Sequence, residues 1–96
     1  DSLEDLFLQF ENKIVVEGHT DDVPMSSAMY PSNWELSSGR AIQVVRYLSE
    51  VKSIPNSRLS AVAYGEYRPM VPNDSAENRA LNRRVNLLII MEGGGK

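Results

Sequence analysis

The chain contains no cysteine and only one histidine, His19. Disulfide scaffolds, thiolate zinc sites, thiol nucleophiles and His-rich metal centres are thereby excluded. Missing cysteine is compatible with either cytoplasm or periplasm and does not choose between them. Lysine is scarce, confined to Lys13, Lys52 and Lys96. No apolar run approaches the ~18–20 residues needed to span a bilayer. The longest, Leu87 to Met91, suits a buried strand. No signal-peptide pattern opens at Asp1, and neither internal repeats nor low-complexity segments occur. No cofactor-binding motif is present, and no cofactor or metal is expected.

The 96 residues accommodate one domain. A chain of this size buries only a little over ~60% of its unfolded surface, which gives a modest core. Charged residues make up 24%, so disorder is not indicated. The net charge of −3 argues against a nucleic-acid partner, because phosphate binding needs surplus Lys and Arg. Arginines carry most of the positive charge, and Arg79, Arg83 and Arg84 fall close together. Arginine is the side chain suited to holding a carboxylate through two parallel hydrogen bonds.

Leu3, Leu6, Phe7 and Phe10 recur at three- and four-residue spacing and predict a short helix. Ile14-Val15-Val16, bounded by Gly18, reads as a buried strand. A polar loop follows from His19 to about Ser32, long enough to suggest a function. Ser32-Asn33-Trp34-Glu35 has the form of a capping box. It opens a helix predicted to reach about Lys52, with Leu36, Ala41, Val44, Val45, Leu48 and Val51 on the apolar face and Pro55 enforcing the stop. Leu59 to Tyr64 predicts a strand ended by Gly65, and residues 65–74, with Pro69 and Pro72, a loop. Asp74 or Ser75 caps a short helix to about Leu81, and Arg84 to Met91 forms the last strand. This alternation predicts an α/β domain with helices layered on a small sheet. Residues 1–92 form the domain, and Gly93-Gly94-Gly95-Lys96 a flexible tail.

Gly18-His19-Thr20-Asp21 lies at the carboxyl end of a strand, where α/β folds place ligands. An enzyme would use His19 as general base with Asp21 or Asp22 as its orienter. No serine occupies a nucleophile elbow, however, and a histidine that ties down the loop by hydrogen bonds is the preferred reading. Asp21 suits an Asx-turn and a contact to a ligand's ammonium group equally well. Arg40 sits in the early turns of the long helix, where the helix dipole disfavours a cation. Its commoner role is a surface arginine with its stem over apolar neighbours. Arg83 and Arg84 should point to opposite sides, and surface salt bridges to Glu77 or Glu66 are their ordinary fate. Trp34 and the tyrosines at 30, 47, 64 and 67 show no recognisable nucleic-acid stacking pattern.

Four motifs read together resemble the OmpA-like peptidoglycan-associating domain. They are Gly18-His19-Thr20-Asp21, Asn33-x-x-Leu36-Ser37-x-x-Arg40-Ala41, Tyr64-Gly65-Glu66-x-x-Pro69 and Asn82-Arg83-Arg84-Val85. They span residues 14 to 91 in the family's order and are specific as a set, though weak singly. Asp22-Val23-Pro24 with the extended loop, and Pro72-Asn73-Asp74, resemble the flagellar-stator members of the family. The lipoprotein-type members, which link the outer membrane to the wall, lack that loop and are the alternative.

The resemblance implies a βαβαβαβ-type sandwich of helices on a small mixed sheet, with the family's first strand missing from this chain and one sheet edge left open. It implies non-catalytic, non-covalent binding of peptidoglycan that anchors a motor stator to the wall. Asp21 and Arg40 match the pair that grips diaminopimelate of the stem peptide. Thr20, Asn33, Leu36, Ser37 and Arg83 match the rest of the pocket, while Arg84 is structural. Also implied are a periplasmic location, a membrane span outside these residues, a channel subunit as partner and homodimerisation.

Overall fold

The computed structural model describes residues 12–90. The expected N-terminal helix and the glycine-rich tail lie outside the described residues. Strand β1 (Lys13–His19) runs into a long loop and then helix α1 (Asn33–Glu50). A single 3-10 turn at Asn56–Arg58 leads into β2 (Leu59–Gly65), followed by α2 (Ala76–Asn82) and β3 (Val85–Ile90). The strands form a mixed sheet in the order β2-β1-β3. β1 pairs parallel with β2 and antiparallel with β3. Parallel pairing needs a crossover connection, and α1 supplies it. The predicted α/β class, and the predicted order of elements from the first strand onwards, therefore describe the molecule.

The β-branched run of β1 alternates as a half-covered strand should. Ile14 and Val16 point towards α1 and are fully buried. With Ala41, Leu48 and Ile54 they form a small core, flanked by Val44, Val45, Leu59 and Val85. The face that α1 turns to the sheet carries Asn33, Ser37, Ala41 and Leu48 as its buried residues. It is thus polar at the amino end and apolar at the carboxyl end.

Two expectations differ from the structure. Val51 is exposed rather than on the apolar face. The helix ends at Glu50, and Ser53 at φ 62° turns the chain, so that Ile54 enters the core where Val51 was expected. The stop is made before Pro55. The second difference is β3, whose Leu87 to Ile90 are exposed rather than buried. Among the described strands β3 is an outer one, paired only with β1, and a strand covered on one side keeps much of its surface.

Candidate functional site

The chain leaves β1 at a tightly held point. His19 N–H donates to Arg84 O (2.9 Å) on the β3 side, and Thr20 N–H to Gly65 O (2.9 Å) on the β2 side. The Thr20 hydroxyl donates to Asp21 O (2.8 Å). Gly65 has φ 60°, a left-handed conformation that glycine adopts without strain. Its N–H donates to Ser37 Oγ (3.0 Å), and Ser37 in turn donates to Trp34 O (3.0 Å). Thr20 and Ser37 are therefore joined through Gly65, and both are buried. Gly18 allows this approach. A Cβ added there would lie 2.0 Å from Ser37 O, so any side chain at position 18 would drive the helix off the strand.

Asp21 is only 6% exposed. Its Oδ1 accepts from Val23 N–H (3.0 Å), which is the Asx-turn geometry. Its Oδ2 accepts from Arg83 Nη1 (2.6 Å), and that side chain remains 45% exposed. Burial of a carboxylate is costly unless it is paired and hydrogen-bonded, and these donors supply the pairing. Asn33, the first residue of α1, directs Nδ2 towards Asp21 O (3.3 Å), Val23 O (3.1 Å) and Glu66 Oε1 (3.1 Å). One amide thus ties the β1 exit to the turn after β2. Beside it Arg79 Nε donates to Asp22 Oδ1 (2.9 Å), and that contact raises the arginine's pKa above its ordinary value.

The capping motif forms, with a twist. Ser32 Oγ accepts from Trp34 N–H (3.1 Å) as expected. The Glu35 carboxylate accepts the Ser32 hydroxyl proton, and this bond holds its pKa below the usual carboxylate value. The long loop folds back on α1, with the Tyr30 ring so close that a Cβ on Gly39 would lie 2.7 Å from it.

Of the residues singled out from the sequence, Asp21, Asn33 and Arg83 are in direct contact, and Thr20 and Ser37 join them through backbone. Leu36 and Arg40 are half-buried on α1. Helical spacing puts Asn33, Leu36, Ser37 and Arg40 on one face. The Arg40 side chain makes no hydrogen bond or ion pair among the described residues, so it does not neutralise Asp21 directly. Arg83 does so, because it caps the carboxyl end of α2 directly beside the β1 exit. Neither Glu77 nor Glu66 is its partner. Arg84 turns elsewhere, donating to Asn82 O (3.4 Å) and Arg68 O (3.2 Å).

His19 stacks on Tyr64 (5.1 Å between centroids), with Nε2 3.3 Å from Glu17 Oε1. Asp21 and Asp22 do not orient it, so the dyad that an enzyme reading requires is not formed. Sequence reasoning named Asn82 within the Asn82-Arg83-Arg84-Val85 motif but gave it no role, and the structure buries it fully. Its Oδ1 accepts from Met70 N–H (2.8 Å) and Val71 N–H (3.2 Å). Its Nδ2 donates to Val71 O (2.8 Å) and Asn73 Oδ1 (2.7 Å). With every donor and acceptor used, it clamps the proline-containing loop and fixes the start point of Arg83.

Comparison with known proteins adds to this geometry. The model of the OmpA family matches residues 2–83. Motility protein B of Bacillus subtilis (strain 168) is 40% identical over 83 residues, which cover 86% of this chain and 32% of that protein. The crystal structure of the C-terminal domain of Helicobacter pylori MotB has a TM-score of 0.83 at 31% identity, covering 96% of this chain and 69% of that one. The cell wall anchor of the T6SS from Pseudomonas aeruginosa has a TM-score of 0.84 at 34% identity, with coverages of 94% and 62%. The chain spans about a third of the length of curated relatives such as the Bacillus protein. A match over most of the sequence, on a fold shared with MotB domains, establishes that this chain belongs to the OmpA family, with motility protein B among its homologues.

Proposed function

We propose that this domain holds peptidoglycan non-covalently and thereby fixes a flagellar motor stator to the cell wall. The observation that carries the reading is the buried Asp21 carboxylate at the end of β1, bonded to Arg83, with Arg40 on the adjoining helix face. One negative and two positive groups suit a zwitterionic amino-acid end such as that of diaminopimelate. Its ammonium shares Asp21 with the half-exposed Arg83, and its carboxylate meets a guanidinium. Charge-assisted hydrogen bonds of both signs then fix the headgroup. Thr20, Asn33, Leu36 and Ser37 shape the pocket. Affinity per site is modest, because these groups are well hydrated when apart.

In this reading the domain is periplasmic and the longer protein is anchored in the inner membrane. It partners a MotA-type channel subunit through parts outside these residues, and the domain pairs with a second copy of itself. No catalytic step is involved. Sedimentation with purified sacculi tests the pocket. Asp21→Ala and Arg40→Ala are each expected to abolish co-sedimentation while circular dichroism stays unchanged. Undiminished binding by both folded variants overturns the assignment.

A further inference from the structure

Beside the Asp21 pocket stands a second feature that the stem-peptide reading does not use. The rings of Trp34 and Tyr67 stack with centroids 5.1 Å apart and planes inclined by 28°, yet they remain 50% and 61% exposed. The pair is built rather than incidental. Both rings rest on Gly65, each about 3.5 Å from where a Cβ would stand there. Tyr67 N–H donates to Tyr64 O (3.2 Å) and closes the turn beneath its ring. The Asn33 bond to Glu66 Oε1 (3.1 Å) ties the residue before Trp34 to the residue before Tyr67. The rings are thus held by backbone below and by an amide–carboxylate bond alongside, and much of their surface faces solvent.

We propose that Trp34 and Tyr67 form a stacking subsite for a pyranose ring of the wall glycan, contiguous with the stem-peptide pocket. A pyranose presents an apolar C–H face that lies flat on an aromatic ring, and hydroxyls around its edge. The platform offers that complement, with the second oxygen of Glu66 as an acceptor at its rim. Other occupants fit less well. An apolar peptide needs concave apolar walls, whereas the side chains tied in beside these rings are Asn33 and Glu66. A nucleotide base would bring phosphate towards the Glu66 carboxylate on an acidic chain. Asn33 touches both Asp21 O and Glu66, so one residue separates the two subsites. A ligand with a sugar joined to a peptide spans them. The rings are already fixed, so little ordering entropy opposes binding. The identity of the sugar as wall glycan rests on the proposed function; the stacking itself does not.

Trp34 is the only tryptophan in the chain, so its fluorescence reports the platform directly. The 96-residue chain is titrated separately with a peptide-free N-acetylglucosamine tetramer and with free diaminopimelate. The tetramer should change Trp34 emission saturably, and Tyr67→Ala should weaken its binding roughly tenfold, the effect of losing one well-placed contact. Tyr67→Phe should retain it. Tyr67 is exposed, so these variants keep the fold. Diaminopimelate, followed by calorimetry, should bind Tyr67→Ala as it binds the parent chain and should be lost with Asp21→Asn. No saturable emission change with the tetramer, or equal tetramer affinity in Tyr67→Ala, overturns the subsite. Failure of the diaminopimelate arm alone overturns the peptide pocket and leaves the sugar platform supported.

Discussion

Replacing Asn82 by aspartate is the sharpest test of how the site is supported, because it changes one atom in a fully buried side chain. The backbone N–H groups of Met70 and Val71 fix which end of the Asn82 amide is oxygen, so the new oxygen of Asn82→Asp replaces Nδ2. It would face Val71 O, 2.8 Å from the present nitrogen, and Asn73 Oδ1 at 2.7 Å. Two donated bonds are lost, each worth roughly 1 kcal/mol net, and an anion is set against a carbonyl oxygen. Asn73 can rotate its amide to donate instead, which limits the cost. We expect a loss of about 3 kcal/mol at pH 7, a large share of the ~5–15 kcal/mol that holds a domain together. The protonated carboxyl recovers one bond to Val71 O, so roughly 2 kcal/mol of the loss belongs to ionisation. The carbonyl oxygen facing the new carboxylate therefore raises its folded-state pKa above the ordinary value. A raised folded pKa means that the penalty is smallest below the ordinary carboxylate range, grows as pH rises through the folded value, and is complete above it. Urea midpoints of variant and parent, compared at matched pH from 4 to 7, measure the difference. A cost below ~1 kcal/mol, or one independent of pH, would refute the claim that this amide is a fully used clamp.

Two further outcomes rest on other contacts of the same structure. Gly18→Ala should cost about 3 kcal/mol or more in urea unfolding, above the usual overpacking range, because the added methyl meets a backbone carbonyl rather than a movable side chain; a cost under ~1 kcal/mol would mean that strand and helix are not in close contact. Ser32→Ala should move the Glu35 titration upward in an NMR pH series, since the Ser32 hydroxyl is the main cause of its depression. In the parent chain that contribution is present above the ordinary carboxylate range and is lost as pH falls through the folded pKa; an unchanged midpoint would remove the Ser32–Glu35 bond.

The helix, strand and turn order was legible because periodicity and punctuation agree here. Ile14-Val15-Val16 before Gly18, the Ser32 cap and the Gly65 stop each mark a boundary within a residue or two of where it falls. The errors came where a tertiary choice overrode local pattern. Nothing in the spacing of α1 says that Ile54, beyond a turn at Ser53, outcompetes Val51 for the core. Nothing in Val85 to Ile90 distinguishes an outer strand from an inner one, because an apolar run looks the same in both places. In the site, the residue types were readable and the pairing was not. Asp21 and Arg83 are 62 positions apart and meet only because α2 ends beside the exit of β1. Asn82 left the faintest signal, a polar residue at a helix end, and its importance appears only once its four bonds are seen together.

The buried stripe of α1 separates positions where folding and the proposed binding are linked from positions where they are independent. Ala41 and Leu48 on the stripe belong to the core, while Asn33 and Ser37 on the same face lie beneath the proposed site. The transition between the two regimes lies where Ser37 O abuts Gly18. A side chain at Gly18 moves the helix as a body, and loss of the buried Ser37 hydroxyl releases Gly65 N–H, so lost binding at either position cannot be separated from lost structure. Arg40 and Tyr67 stand outside this junction, since neither is buried and neither holds an element in place. Their loss removes charge or ring surface without disturbing the packing of β1 against α1. Binding defects at those two positions are therefore the ones that report on the ligand itself.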